Sequence, residues 1–240
     1  MVVGGAPATN ASRLVAPDEA VSVAAPRSRY VGRGGEKLAA ALERFDLDLT
    51  GRRVLDAGSS TGGFTDCALQ AGAASVVAVD VGRGQLHRRL LTDGRVEVHE
   101  RTNIRAVQPG ALGPLADVVV ADLSFISLRT VADDLLALVR PHGDLVWLVK
   151  PQFEADRAEA SAARGVITDP DVWARALRQV AGTLDERGAA IMGLMTSPLR
   201  GADGNVEFLL HARAPGPDTV ADRARTEALV ASVLDEASAP

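Results

Sequence analysis

The feature that most limits the possible folds of this chain is a regular alternation of two kinds of segment. Short runs rich in valine and leucine have the composition of buried strands, and segments with helical spacing separate them. The strand-like runs are RRVLDAG, SVVAVDV, RVEVHE, DVVVADLSF, DLVWLVK, GAAIMGLMTS and NVEFLLHAR. Strands that alternate with helices form a mainly parallel sheet with helices on both faces. The sequence therefore predicts a doubly wound α/β fold around a mainly parallel, seven-stranded sheet.

The two ends of the chain depart from this pattern. The last two strand-like runs are joined by the short loop PLRGADGN, which predicts an antiparallel hairpin at one edge of the sheet. Residues 1–28 are rich in Ala, Pro, Gly and Ser and predict a flexible arm. Alanine-rich composition and helical spacing predict a helical tail over residues 214–240.

The bulk composition excludes several classes of protein. A chain of 240 residues with 47% hydrophobic and 24% charged residues is typical of one large globular domain. The most apolar region, 135–149, is interrupted by charged residues and falls short of the roughly 20 residues that span a bilayer. No leader peptide is expected, and the lone Cys67 fits a reducing cytoplasm. The net charge of -5 leaves nucleic-acid binding to a local basic patch.

Charged side chains end four of the predicted strands. Asp56, Asp80, Asp122 and Lys150 each follow an apolar run, and Pro151 stops the strand directly behind Lys150. Ligands of an open α/β sheet bind beyond the carboxyl ends of its strands. The four strand ends therefore predict a polar site at one edge of the sheet.

The loop after the first strand, DAGSSTGGF, indicates which ligand this site takes. Glycines at positions 58, 62 and 63 permit a tight turn and a close approach of a ligand to the backbone. The spacing is neither the dinucleotide G-x-G-x-x-G motif nor a P-loop. Asp80, at the end of the next strand, is placed to accept hydrogen bonds from ribose hydroxyls. The glycine-rich turn and the ribose-binding acid indicate a cofactor that contains adenosine. The absence of a phosphate-binding loop favours S-adenosylmethionine over NAD or ATP.

Seven motifs occur in an order that is similar to a known family. RGGEKL, LDAGSSTGGFTDC, VDVGRGQL, ERTNIR, ADLSFISL, VKPQFE and GNVEFLLHAR resemble the TlyA family of haemolysin A-like, FtsJ-type ribosomal RNA 2′-O-methyltransferases. The resemblance implies a Rossmann-like, S-adenosylmethionine-dependent methyltransferase domain over about residues 29–213. It also implies that residues 1–28 are the remnant of an S4-type RNA-binding domain, as an alternative to the flexible arm.

The resemblance further implies the residues of the active site. The implied catalytic tetrad is Lys37, Asp122, Lys150 and Glu207. The implied cofactor-binding residues are Asp56, Gly58, Ser60, Thr61, Gly62, Gly63, Phe64, Asp80, Asn103 and Asp122. No metal ion is expected to take part.

Transfer of a methyl group to a 2′-hydroxyl requires that the hydroxyl be positioned and lose its proton. A free lysine is only about 0.04% neutral at pH 7, so a lysine base needs its pKa lowered by about 3 units to be half neutral. Burial beside a second cation acts in that direction, whereas a nearby carboxylate acts against it. We therefore assign Lys150 as the base that activates the hydroxyl. The alternative is that Lys150 only orients the hydroxyl through a hydrogen bond.

An RNA substrate requires positive charge and stacking surfaces close to the site. Arg29 and Arg33 belong to a basic cluster before the first helix and are candidates for RNA contact. Phe153, just after the strand of Lys150, is the aromatic candidate for stacking on a base. Phe64, Phe125 and Trp147 are expected in the core.

The family resemblance implies 2′-O-methylation of cytidine in ribosomal RNA, with ribosomal RNA or ribosomal subunits as the partner, and the cytoplasm is the expected location. One alternative is a methyltransferase for another hydroxyl acceptor, including a small molecule. A second is a non-catalytic ribosome-binding factor, against which the intact tetrad argues. A third, a membrane-active haemolysin, is disfavoured because no strongly amphipathic membrane segment is present.

Overall fold

A computed structural model describes residues 2–8, 10, 13–22 and 29–238. Its strands are β1 Val2–Val3, β2 Ala6–Pro7, β3 Val21–Ser22, β4 Arg53–Ala57, β5 Ser75–Val79, β6 Val96–His99, β7 Ala116–Ala121, β8 Val139–Val149, β9 Ala190–Thr196 and β10 Phe208–Arg213. Its helices are α1 Gly34–Arg44, α2 Gly63–Gln70, α3 Arg88–Leu91, α4 Leu128–Leu136, α5 Pro151–Glu154, α6 Arg157–Ala162, α7 Pro170–Asp185 and α8 Arg223–Ser238. A single 3-10 turn at Ile104–Ala106 is also described.

The central sheet has seven strands in the order β6-β5-β4-β7-β8-β10-β9. Strands β4 to β8 pair in parallel, whereas β10 runs antiparallel to both of its neighbours, β8 and β9. The predicted doubly wound sheet with an antiparallel edge hairpin is therefore confirmed. Because β10 lies between β8 and β9, β9 is the strand at the edge of the sheet.

Two element boundaries differ from the sequence-based expectation. Helix α4 ends at Leu136 and β8 already begins at Val139, where a strand was expected only from residue 144. His142 has a left-handed φ of 59°, and the pairing register between β8 and β7 shifts close to it. Strand β8 therefore continues through an irregular stretch whose sequence is typical of a turn. The last strand begins at Phe208, which places Glu207 just before the strand and not within it.

Two hydrophobic layers cover the two faces of this sheet. One layer packs α1, α2 and α3 against it and includes Leu38 and Phe64. The other packs α4, α7 and α8 and includes the fully buried Trp147. Val230 and Val233 of α8 belong to this second layer, so the C-terminal helix is packed as part of the core. The strand ends between the layers are thereby held rigidly in place.

The N-terminal residues that are described form a separate small sheet. Its strands of two residues each are antiparallel in the order β2-β1-β3, and an ion pair of 2.6 Å joins Arg13 to Glu19. Several residues of the range 1–28, including 23–28, lie outside the described residues. The division of the chain at residue 29 stays a prediction. Over the described ranges, no helix is both long and apolar enough to cross a membrane.

Candidate active site

Two adjoining cavities open at the carboxyl ends of the parallel strands. The larger has a volume of about 610 Å³ and the smaller about 440 Å³. Both are lined by Gly58, Ser60, Asp122, Ser124 and Phe125. The loop after β4 and the loop after β7 therefore form a shared boundary, across which the two cavities meet.

The structure brings the four tetrad candidates together in the wall of the larger cavity. Lys150 pairs with Asp122 over 2.6 Å, and its amine also donates a hydrogen bond of 2.9 Å to the Ser124 hydroxyl. Lys37 forms a short ion pair with Glu207, although 170 residues separate them in sequence. Both lysines are 8% exposed. One buried ion pair, Lys37–Glu207, and one partly buried pair, Lys150–Asp122, thus face one cavity.

Lys37 reaches the cavity because glycines allow α1 to approach the β4 loop closely. A Cβ atom on Gly63 would lie 2.9 Å from the amide nitrogen of Gly35 and 3.2 Å from the carbonyl oxygen of Gly32. A Cβ atom on Gly34 would lie 3.2 Å from the Phe64 ring. The RGGEKL motif therefore starts a helix directly against STGGF, and Lys37 one turn later faces the site.

The smaller cavity carries the ribose-binding candidate. The Asp80 carboxylate accepts hydrogen bonds from the amide of Ser60 over 2.8 Å and the amide of Gly82 over 2.6 Å. Each carboxylate oxygen has a second lone pair available for a hydroxyl group. Asn103 lies in the same wall and caps the 3-10 turn by accepting from the amide of Arg105. The two residues define a polar end of this cavity.

Most of the other cofactor candidates also lie in these walls. Thr61, Gly63 and Phe64 line the larger cavity. Asp56 and Gly62 do not line either one. Gly62 takes a φ of 94° at the start of α2 and packs toward Leu86 and Leu90, which makes it a turn residue. Asp56 lies fully buried, away from both walls.

Asp56 is an unusual buried carboxyl group. One oxygen accepts a hydrogen bond of 2.6 Å from the Thr65 hydroxyl, and the other oxygen has no partner among the described residues. Burial raises the pKa of Asp56 to about 7, against the lowering effect of the Thr65 hydrogen bond. A raised pKa means that the folded protein binds a proton at Asp56 more tightly than the unfolded chain does.

Replacing Asp56 by asparagine is therefore expected to change the pH dependence of stability. Between about pH 4 and 7 the folded protein holds more protons than the unfolded chain, so the contribution of Asp56 to stability falls as the pH rises. The shift corresponds to at most about 4 kcal/mol. Urea unfolding at pH 5 and pH 8 should show that the free energy of unfolding of the variant, relative to that of the wild type, is higher at pH 8 than at pH 5. A difference that does not change with pH would contradict this assignment.

The RNA-contact candidates separate into two groups. Arg33 and Phe153 line the larger cavity. Arg29 lies elsewhere, beside Arg89 and Arg95 in another surface groove, with its guanidinium 5.1 Å from the Tyr30 ring centre. The structure therefore does not bring Arg29 to the site.

Phe125 is the residue that the sequence reasoning missed. It was expected in the core, but its side chain is 92% exposed and its φ is 64°. Its ring centre lies 5.3 Å from that of Phe153, and both rings line the larger cavity. The expectation of a core position is wrong because the strand ends at Ala121 and leaves Phe125 on the loop. The signal in the sequence was its place after Asp122, outside the apolar run.

The scarcity of lysine in the sequence also indicates the site, although the sequence-based prediction did not use it. Of the 26 Lys and Arg residues in the sequence, only Lys37 and Lys150 are lysines. Both occupy the cavity wall, and all other cationic side chains of these two types are arginines. Within the described residues, no group of three or more His, Cys, Asp or Glu side chains is arranged to hold a metal ion.

A Rossmann-like sheet, a glycine-rich turn after β4, an acid after β5 and a lysine–aspartate pair at the strand ends are the features that the sequence analysis expected of a methyltransferase with this fold. The comparisons with known proteins agree. A family model described as FtsJ-like methyltransferase matches residues 30–214. The chain belongs to this FtsJ-like methyltransferase family.

Relatives of known name are similar along most of the chain. The 16S/23S rRNA (cytidine-2′-O)-methyltransferase TlyA of Mycobacterium tuberculosis is 47% identical over 212 residues, which cover 88% of this chain and 79% of the relative. A candidate rRNA methyltransferase of Bacillus subtilis, YqxC, is 43% identical and covers 90% of this chain and 79% of its own length. The crystal structure of a candidate hemolysin from Lactococcus lactis has a TM-score of 0.79 at 39% identity, covering 88% of this chain and 99% of that one. The predicted resemblance is confirmed.

Proposed function

We propose that this methyltransferase transfers the methyl group of S-adenosylmethionine to the 2′-hydroxyl of a cytidine in ribosomal RNA. One observation carries the proposal: Asp122 lies in the walls of both cavities and pairs with Lys150 in the larger one. A methyl group that bridges a cofactor and an acceptor must lie at such a boundary. The name of the Mycobacterium tuberculosis relative supplies the acceptor, a cytidine 2′-hydroxyl of ribosomal RNA.

The residues of the smaller cavity and its boundary fit the cofactor. S-adenosylmethionine supplies a methyl group that is activated by a sulfonium charge. Asp80 would hold the ribose hydroxyls, and Asn103 would lie near the adenine. Gly58 allows the loops after β4 and β7 to approach each other closely at the cavity boundary, because a Cβ atom there would lie 2.6 Å from the carbonyl oxygen of Asp122. The carboxylate of Asp122 would face the positively charged end of the cofactor.

The larger cavity provides the groups that activate the acceptor. Lys150 is assigned as the base for the 2′-hydroxyl, with Asp122 and Ser124 fixing the direction of its amine. Lys37, held by Glu207, places a second lysine in the wall of the same cavity. The use of lysine at these positions in an arginine-rich chain supports a role that a guanidinium cannot perform, since arginine does not deprotonate.

The aromatic pair at the mouth of the larger cavity supports a nucleotide as the acceptor. Phe125 bears two costs, an exposed ring and a left-handed backbone, which persist at sites where contact with a ligand offsets them. Stacking of a base on an aromatic ring contributes about 1–3 kcal/mol. We assign Phe125 and Phe153 to the target nucleotide and Arg33 to a phosphate beside it.

Replacing Phe125 by alanine is expected to weaken the use of ribosomal substrate by about 10-fold to 100-fold in kcat/KM, as loss of one stacking contact predicts. The Kd for S-adenosylmethionine should change less than kcat/KM does, because the ring borders the cofactor cavity as well but its stacking role is assigned to the nucleotide. Val220→Ala is the matched control, since Val220 is 77% exposed and lies on neither cavity wall. Equal kcat/KM for the wild type and Phe125→Ala would contradict the assignment.

The proposed function is tested by incubating the protein with methyl-labelled S-adenosylmethionine and purified small and large ribosomal subunits that lack the modification. Label is expected in the RNA of at least one subunit. Cofactor binding without label in either RNA would contradict the ribosomal substrate and favour another hydroxyl acceptor or a non-catalytic binding role.

A further inference from the structure

Glu154 is a buried carboxylate for which the proposed reaction gives no role. It is the last residue of α5, the short helix that begins directly after Lys150, and it is 3% exposed. It lies in the wall of neither cavity. A buried acid is costly unless several donors surround it, so its partners indicate what it does.

The partners of Glu154 all come from the beginning of α4. Its carboxylate accepts hydrogen bonds from the Ser127 hydroxyl over 2.5 Å, the Leu128 amide over 2.7 Å and the Arg129 Nε over 3.2 Å. The backbone carbonyl of Glu154 accepts a fourth, from the Arg129 guanidinium over 3.1 Å. Helix α4 and the end of α5 are thereby joined through one residue, Glu154, by its carboxylate and its backbone carbonyl.

These contacts connect the two segments that carry the reacting groups. The β7 loop, residues 122–127, supplies Asp122, Ser124 and Phe125 and ends at the partners of Glu154. The α5 segment, residues 150–154, supplies Lys150 and Phe153 and ends at Glu154 itself. Each segment also has a direct contact with the other, the Lys150–Asp122 ion pair, at its opposite end. Glu154 therefore closes a ring of contacts around the site.

We propose that Glu154 is a positioning residue that holds Lys150 and Phe153 in register with Asp122 and Phe125. The inference rests on the proposed function, because it assigns a task to the geometry of that same site. Its physical basis is that misplacement of a reacting group by about 1 Å lowers a rate by up to about 100-fold. Without the Glu154 carboxylate, three donors at the start of α4 lose their acceptor, and at this end of the two segments the bond from Arg129 to the backbone carbonyl remains.

The test compares Glu154→Ala, Glu154→Gln and a matched control, Asp144→Ala. Asp144 is also a buried carboxylate, 2% exposed, and lies in β8, the same strand that leads to Lys150. It binds Arg52 over 2.6 Å and His211 over 2.9 Å, lies in the middle of the strand and lines neither of the two cavities. Both alanine variants therefore remove a buried, hydrogen-bonded acid, but only one removes it beside the site.

For Glu154→Ala we expect kcat to fall by about 10-fold to 100-fold, with the Kd for S-adenosylmethionine within about threefold of the wild type. Glu154→Gln should recover part of the rate, because its amide oxygen can still accept from the Leu128 amide and its NH2 group can donate to the Ser127 hydroxyl, whereas the Arg129 Nε loses its acceptor. Asp144→Ala should lower Tm without lowering the kcat of the folded protein. An unchanged kcat for Glu154→Ala, or an equal fall for Asp144→Ala at matched Tm loss, would overturn the inference.

A second readout does not depend on activity. Amide hydrogen exchange in residues 123–128 and 152–155 should quicken together in Glu154→Ala and stay unchanged in Asp144→Ala. Absence of any change in these segments would also overturn the inference. If the wild type transfers no methyl group, the proposed function fails by itself, and the exchange experiment still decides whether Glu154 joins the two segments.

Discussion

Lys150→Ala is expected to lower methyl transfer by about 10²-fold to 10⁴-fold, the range that general-base catalysis contributes. The variant removes the amine that lies 2.6 Å from Asp122 and 2.9 Å from Ser124 in the wall of the acceptor cavity. Binding of S-adenosylmethionine should persist, since the Asp80 end of the site is unaltered. Single-turnover rates with saturating cofactor measure the effect.

Lys150→Arg separates the two roles that lysine can play. Arginine keeps the charge and the hydrogen-bond donors but does not deprotonate, so we expect it to be nearly as slow as alanine. A retained rate would contradict the base role and leave only orientation of the hydroxyl. Because the chain has two lysines, lysine-selective isotope labelling of either variant leaves the signal of Lys37 alone. An unchanged Lys37 signal would show that its pairing with Glu207 is intact.

Gly58→Ala is expected to weaken S-adenosylmethionine binding by about 10-fold to 100-fold, as the usual 1–3 kcal/mol cost of overpacking predicts. Its new Cβ would lie 2.6 Å from the carbonyl oxygen of Asp122, which belongs to the backbone and has little freedom to move. The loops after β4 and β7 would have to separate, and the Lys150–Asp122 pair would shift with them. Calorimetric titration with S-adenosylmethionine measures the affinity.

Gly110→Ala is the matched control for this prediction. Gly58 and Gly110 both have a φ of 85°, so both substitutions carry the same backbone penalty. A Cβ atom on Gly110 would meet nothing within 4 Å. We expect the two variants to lose similar stability from the backbone, while only Gly58→Ala loses affinity. Equal affinity for both variants would contradict the close approach at the cavity boundary.

The fold was predictable because its determinants are local. The strand runs alternate with helices along the chain, and four of the apolar runs end in a charge, so the sheet and its carboxyl edge follow from the sequence pattern. The positions of Asp80, Asp122 and Lys150 in the cavity walls follow from the same rule. The limits of β8 were missed because Pro141 and Gly143 indicate a turn, whereas the strand continues past them through an irregular register.

The remaining parts of the site depend on contacts between distant segments. No local pattern pairs Lys37 with Glu207, or joins Glu154 to the start of α4. Nor does a pattern distinguish Asp56, which is buried behind the walls, from Asp80, which lies in one. The exposure of Phe125 depends on where β7 ends and the loop turns outward. The family resemblance pointed to several of these residues, but only the packing shows what each of them touches.

The central claim is that this chain places a methyl group on a cytidine 2′-hydroxyl through the cavity that contains Lys150. The most direct test is nucleoside mass spectrometry of ribosomal RNA after incubation of unmodified subunits with S-adenosylmethionine and either the wild type or Lys150→Ala. We predict 2′-O-methylcytidine with the wild type and a background level with the variant. A methyl group on a base or on a ribosomal protein, or equal 2′-O-methylcytidine with both proteins, would contradict the account.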